Sequence, residues 1–189
     1  MEEQTGKLLL DIARRSLSTY IGKQRQVEPQ LDTLPDALQQ PGASFVTLYS
    51  FGRLRGCVGS VEARLPLALD VALNAVAAAT RDPRFPPVTR DELARLRLSV
   101  TVLSPLRQLA YESQSDLEHK LRPGMDGVMI AWQSRRSLLL PQVWERVPEP
   151  RDFLLALTEK GGIPRSELAA QPPTIAAFSF TAECCEEDE

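Results

Sequence analysis

The sequence predicts an α+β protein with a mainly antiparallel sheet, and three observations carry that expectation. Apolar runs come in pairs that read as hairpins, "SFVTLYS" with "LRGCVGSV" around the turn "FGR", and "RPGMDGVMIAWQ" with "SLLLPQVW" around "SRR". Helical patterns lie between the hairpins without a strict strand-helix-strand rhythm, which argues against a parallel sheet. One alanine-rich segment, "PLALDVALNAVAAAT", is apolar nearly all round, as a helix buried against a sheet must be.

Taken in order, Leu9, Ile12, Ala13, Leu17, Tyr20 and Ile21 recur at helical spacing and predict a helix over about 6–24. Pro29, Pro35, Pro41 and Gly42 mark the linker after it. Strands are predicted over 44–50 and 54–61, then a helix over 66–80 with Pro66 at the position where its missing N–H does no harm. "RDPRFPP" stops that helix, because proline cannot continue it. A short helix at 89–95, a strand at 96–104, a short helix near 115–121 and the second hairpin come next. "PRDFLLALTEKGG" reads as a helix ended by glycines, and "TIAAFSFTAE" as a final strand. Residues 1–182 are expected to form one domain. The acidic run 183–189, "ECCEEDE", is expected to be a disordered tail.

A 189-residue chain with 43% hydrophobic residues can bury a real core. Its start lacks a basic signal-peptide region, and no apolar run approaches the roughly 20 residues that span a bilayer, so a cytoplasmic protein without membrane contact is expected. Three cysteines, two of them adjacent in the acidic run, do not make a disulfide framework. His119 is the single histidine and there is no C-x-x-C pair, so neither a metal site nor a cofactor is expected. Basic residues number 22 and acidic ones 25, and five of the acids sit in the last seven residues, so the body is slightly basic. No basic helix face with interleaved aromatics accompanies that charge, and nucleic acid is not expected as a partner.

The chemistry concentrates in "GRLRGCVGS", residues 52–60. Strict alternation would put Arg55 and Cys57 on one face, where a guanidinium favours the thiolate. Gly56 and Gly59 mark either a bulge, which at Gly56 would break that alternation, or a place where a ligand approaches the backbone. The competing reading makes Cys57 a small packed hydrophobe. A second feature lies on the buried helix, where Asp70, Asn74 and Arg81 share one stripe that either braces the neighbouring chain or lines a cleft. Beyond it, Asp82, Arg84 and Phe85 flank Pro83 and Pro86 in a stiff loop.

The motifs "LRGCVGS", "NAVAAATRDPRFPP", "LRLSVTVLSP", "LRPGMDGVMI" and "LPQVW", in this order, closely resemble the AMMECR-domain family, also known as AmmeMemoRadiSam system protein A, over about residues 8–181. Val58 and Ser60 stand where the family commonly has Ile and Thr. The resemblance implies a two-lobed fold, an antiparallel sheet flanked by helices plus a smaller lobe, with "LRGCVG" and "RDPRF" gathered in a cleft between. It further implies association with a Memo-like protein and a radical-SAM protein, and it fixes no activity.

Two functions remain open. In one, Cys57 is a catalytic thiolate nucleophile or redox centre, Arg53 and Arg55 bind an anionic group, and Arg81, Asp82 and Arg84 position a small anionic substrate, with Gly56, Asn74 and Phe85 lining the site. In the other, the same residues hold an anionic ligand or a partner segment without chemistry.

Overall fold

The computed structural model describes residues 1–188, which fall into two compact units, Met1–Leu103 joined by the residues from Glu183 onward, and Ser104–Ala182. In the first unit the chain runs α1 (Glu3–Lys23), a 3-10 turn (Leu31–Thr33), α2 (Asp36–Gln39), β1 (Pro41–Ser50), β2 (Arg53–Gly59), β3 (Leu65–Pro66), α3 (Leu67–Thr80), a 3-10 helix (Arg90–Arg95) and β4 (Leu96–Leu103). The second unit holds β5 (Arg107–Leu109), α4 (Gln114–Lys120), β6 (Gly127–Trp132), β7 (Arg135–Leu139), a 3-10 helix (Pro141–Glu145), α5 (Pro150–Gly161), another (Arg165–Ala169) and β8 (Ala176–Phe180). The chain then rejoins the first unit's sheet as β9 (Ala182–Glu186).

The first sheet has the order β2-β1-β4-β9, with β3 pairing the start of β1, and the observed β1 pairings are antiparallel. Phe51 and Gly52 close the β1–β2 hairpin as a two-residue loop with φ of 51° and 71°, the mirror-image turn that matches strand twist. Helices α1 and α3 cover one face. Leu9, Ala13 and Leu17 of α1 and Val71, Ala72 and Ala75 of α3 pack on Val46, Leu48, Leu98 and Val100, all fully buried. Each buried Leu or Val there contributes about 1.5–3 kcal/mol of transfer free energy.

The alanines of α3 let the helix lie very close to the sheet. At Gly56 a side-chain carbon would sit 2.1 Å from the Ala78 carbonyl oxygen, so that helix's last turn rests directly on the backbone of β2. Pro66, expected inside the helix, caps it instead and pairs with Pro41.

The second unit is a four-stranded sheet, β5-β8-β6-β7, also antiparallel. Its core centres on Trp144 stacked on Phe153 at 3.8 Å, with Leu117, Ile130, Leu154, Leu157 and Ala177 around them. The Trp144 indole donates to the Asp126 carbonyl at 2.6 Å, which satisfies its one polar atom.

The expected disordered tail is corrected by the structure, because its residues find partners in the fold. β9 lies beside β4, and the Glu187 carboxylate accepts from Arg14 Nε at 2.8 Å and from the Leu98 N–H at 2.9 Å. The half-buried Cys185 thiol donates to the Gly6 and Val100 carbonyls, and burial pushes it up to about 11, an inert packing thiol. Glu189, the last residue of that run, lies outside the described residues. Among the described residues no helix is long and apolar enough to cross a membrane.

The close packing of α3 on β2 makes Gly56 the most demanding position of the first unit. Gly56→Ala is expected to lower unfolding free energy by about 2–3 kcal/mol through overpacking, measured by urea titration. A midpoint equal to that of the unsubstituted protein would contradict the packing described.

Candidate functional site

β2 ends the sheet on one side, so among the described residues the backbone groups that point away from β1 have no strand to meet. The loop after α3 supplies side chains instead. The Cys57 N–H donates to Asp82 Oδ2 at 2.8 Å, and Arg84 Nη2 approaches the Cys57 carbonyl at 3.5 Å. Asp82, only 5% exposed, also accepts from the Arg84 N–H at 3.1 Å, Arg84 Nε at 2.9 Å and Arg84 Nη2 at 2.7 Å. This bidentate grip holds the Asp82 carboxyl well below the usual carboxylate range. Its partner Arg84 keeps 54% of its side chain exposed.

With its N–H turned outward, Cys57 stands opposite Thr47 in a non-hydrogen-bonded pair, the closer of the two antiparallel kinds. Thr47 Oγ1 accordingly donates to Cys57 Sγ at 3.3 Å. The sulfur is half-buried and free.

Arg55 is not placed as alternation requires. Leu54 pairs with Tyr49 and Gly56 with Leu48, so Arg55 is the extra residue of a bulge. Its guanidinium donates to Glu92 at 2.8 and 3.1 Å and to the Pro86 carbonyl at 3.0 Å, and so it serves the loop rather than the thiol. Glu92 also closes a capping box with Thr89. Together, Arg55 first and Thr89 second, they bring the Glu92 carboxyl down to about 2. The Phe85 ring lies under both guanidiniums, 5.5 Å from Arg84 and 6.0 Å from Arg55.

The polar stripe on α3 is a brace. Asp70 accepts from the Ser44 and Ser60 hydroxyls, each at 2.6 Å, and from Asn74 Nδ2 at 2.9 Å. Asn74 also donates to the Ser44 carbonyl at 3.1 Å. Burial pushes the Asp70 carboxyl up, with the serine hydrogen bonds opposing. Asn74 is thereby placed in the interior beneath β1. Arg81 does not join the stripe: it terminates the helix and is exposed.

The structure thus brings Cys57, Asp82, Arg84, Phe85 and Arg55 to one edge of the sheet, and it sets Asn74 apart. Arg53 and Arg81 are exposed and have no side-chain partner among the described residues. Gly56 and Gly59 give no access to a ligand, because the Ala78 carbonyl fills the first and the Phe45 ring, 2.3 Å from a side-chain carbon there, fills the second. Sequence reasoning missed Glu92, Thr47, Ser44 and Ser60. Only Glu92 carried a signal, the Thr-x-x-Glu spacing of a capping box. Among the described residues no three His, Cys, Asp or Glu side chains converge to hold a metal ion.

Comparison with known proteins gives one family. The AMMECR1 family pattern matches residues 10–185. A Thermofilum pendens protein is 36% identical over 178 residues, covering 86% of this chain and 81% of its own. A Methanothermobacter thermautotrophicus protein is 35% identical over 189 residues, covering 100% and 97%. The crystal structure of an uncharacterized protein from Pyrococcus horikoshii superposes with a TM-score of 0.90 at 30% identity, over 100% of this chain and 94% of that one.

The carboxyl shifts set the response to acid. Asp82 and Glu92 have folded values below their unfolded ones, so their stabilisation is present at neutral pH and is lost as pH falls from about 5 toward 2. Asp70 has the opposite sign, its contribution being fully present below its unfolded value of about 4 and lost as pH rises from there through its raised folded value. Urea midpoints between pH 2 and pH 7 should show Glu92→Gln about 1 kcal/mol less stable at neutral pH and falling less steeply in acid. Asp82→Asn should behave alike, with a loss of about 2 kcal/mol. Profiles parallel to the unsubstituted protein would contradict these shifts.

Proposed function

We propose, from the premise that this chain belongs to the AMMECR1 family, that the outer edge of β2 binds the anionic group of a small substrate beside the Cys57 thiol. The supporting observation is Arg84. Asp82 fixes its guanidinium on two nitrogens and draws it to the Cys57 carbonyl, yet more than half of the side chain faces outward. A guanidinium held in place loses little entropy on meeting a carboxylate or phosphate. Arg81 and Arg53 add charge that no described carboxylate neutralises. Phe85 sets the orientation of Arg84 from beneath.

In this reading Cys57 is the reactive group, with the Thr47 hydroxyl donating to the sulfur and holding it in place. A second reading, anion binding without chemistry, is favoured by a different observation. The nearby carboxylates Asp82 and Glu92 are both engaged by guanidiniums, which leaves neither as a general base for the thiol.

Paired alkylating reagents test the proposal. Iodoacetate, which is anionic, should modify Cys57 about fivefold faster relative to neutral iodoacetamide than it does free cysteine, and Arg84→Gln should abolish that preference. An unchanged ratio in the unsubstituted protein would overturn the anion site. Saturation by inorganic phosphate that survives Cys57→Ala supports binding without chemistry, provided the thiol is also unreactive. Slow modification by both reagents only when a Memo-like or radical-SAM protein is present would instead mark this edge as a docking surface for it.

A further inference from the structure

We propose that the cavity at the tip of the β1–β2 hairpin is a binding site for a small planar aromatic compound carrying a single negative charge. It is lined by Tyr49, Phe51, Gly52, Arg95, Arg97 and Glu186, and its volume of about 540 Å³ falls within the roughly 300–1,000 Å³ of small-ligand sites. None of these residues belongs to the Cys57 edge.

Phe51 is the first argument. It occupies the first position of a two-residue turn at φ 51°, a left-handed conformation that bulky side chains seldom adopt and where asparagine or glycine is the ordinary choice. Its side chain is also 79% exposed, so folding gains almost nothing from the ring. A residue disfavoured both by its backbone and by its exposure points to a role for the ring outside the fold. Tyr49 stands two positions earlier and lines the same cavity, giving two aromatic surfaces on which a planar molecule can stack.

The charges set the sign of the ligand. Arg97 Nη2 meets Glu186 at 3.2 Å, so these two offset each other. Arg95 lies with its guanidinium carbon 5.8 Å from the Phe51 ring centre and meets no carboxylate among the described residues. Among the described residues that line it, the Arg95 guanidinium is the charge no carboxylate meets, beside an aromatic platform. A monoanion neutralises it, whereas a dianion would also face Glu186. Burial first and Glu186 second push the Tyr49 phenol up, so it stays neutral at physiological pH and can donate a hydrogen bond to the ligand. A single unmatched guanidinium does not make the basic track that a nucleic acid strand requires.

Naphthalene-2-carboxylate serves as the probe, with 2-naphthylmethanol as its neutral counterpart and cyclohexanecarboxylate as its non-aromatic one, followed by amide NMR shifts. The carboxylate should saturate shifts at residues 49–53 and 95–97 and bind at least tenfold tighter than either control. Phe51→Gly and Arg95→Gln should each weaken it at least tenfold. Phe51→Gly should keep or raise the thermal midpoint, because glycine adopts this φ freely. The proposal is overturned by equal binding of the neutral probe, by shifts confined to other residues, or by variants that bind unchanged. A lowered midpoint in Phe51→Gly would make the ring structural. Tighter saturation of the same amides by a single-stranded oligothymidylate would replace the small molecule with a nucleic acid.

Discussion

The free edge of β2 is the constraint on which the rest of the first unit depends. A strand that ends a sheet must satisfy or cover its outward backbone groups, and among the described residues no further strand pairs with it. Side chains from α3 and the segment beyond it take that place. Three carboxylates rivet the strand and its exit: Glu92 takes the Arg55 guanidinium, Asp82 takes the Cys57 N–H, and Asp70 takes the Ser60 hydroxyl. Between the first two, Gly56 lets the last turn of α3 settle on the backbone, which fixes where the "RDPRF" loop begins.

This arrangement also decides the electrostatics. The Asp82 carboxylate points inward and is consumed by the brace, while its partner Arg84 keeps more than half of its side chain outward, and Arg53 and Arg81 are exposed beside it. An edge held for structural reasons thereby becomes a cationic rim beside a half-buried thiol. Proline on both sides of Arg84 and Phe85 keeps the rim stiff. The mirror-image turn at Phe51 and Gly52 carries the same hairpin out to a second concentration of aromatic and cationic groups.

The fold was legible where one local rule governed. Period-two runs around short turns marked both hairpins, and the apolar girdle of α3 marked a helix covered on all sides. Motif order carried the family, and with it the grouping of "LRGCVG" and "RDPRF". Arg55 failed because the glycine beside it marks a bulge and a ligand approach alike, and the bulge that is present breaks the alternation at Arg55. Gly56 and Gly59 failed because a glycine needed for close packing looks the same as one needed for ligand approach. The acidic C-terminal residues read as a tail because the partners of Glu187, Arg14 and the Leu98 N–H, lie far away in sequence. The thiols of that segment, which face the Gly6 carbonyl and the Ser99 hydroxyl, were equally invisible.

The grip of Asp82 on the Cys57 amide is tested most directly by hydrogen exchange at that one N–H. Exchange of the Cys57 amide should be strongly retarded for an edge-strand position, and Asp82→Asn should accelerate it by about tenfold or more while the amides of β4 in the sheet interior keep their protection. An amide that exchanges at the rate of an open edge in the unsubstituted protein, or one whose protection Asp82→Asn leaves unchanged, would contradict the account.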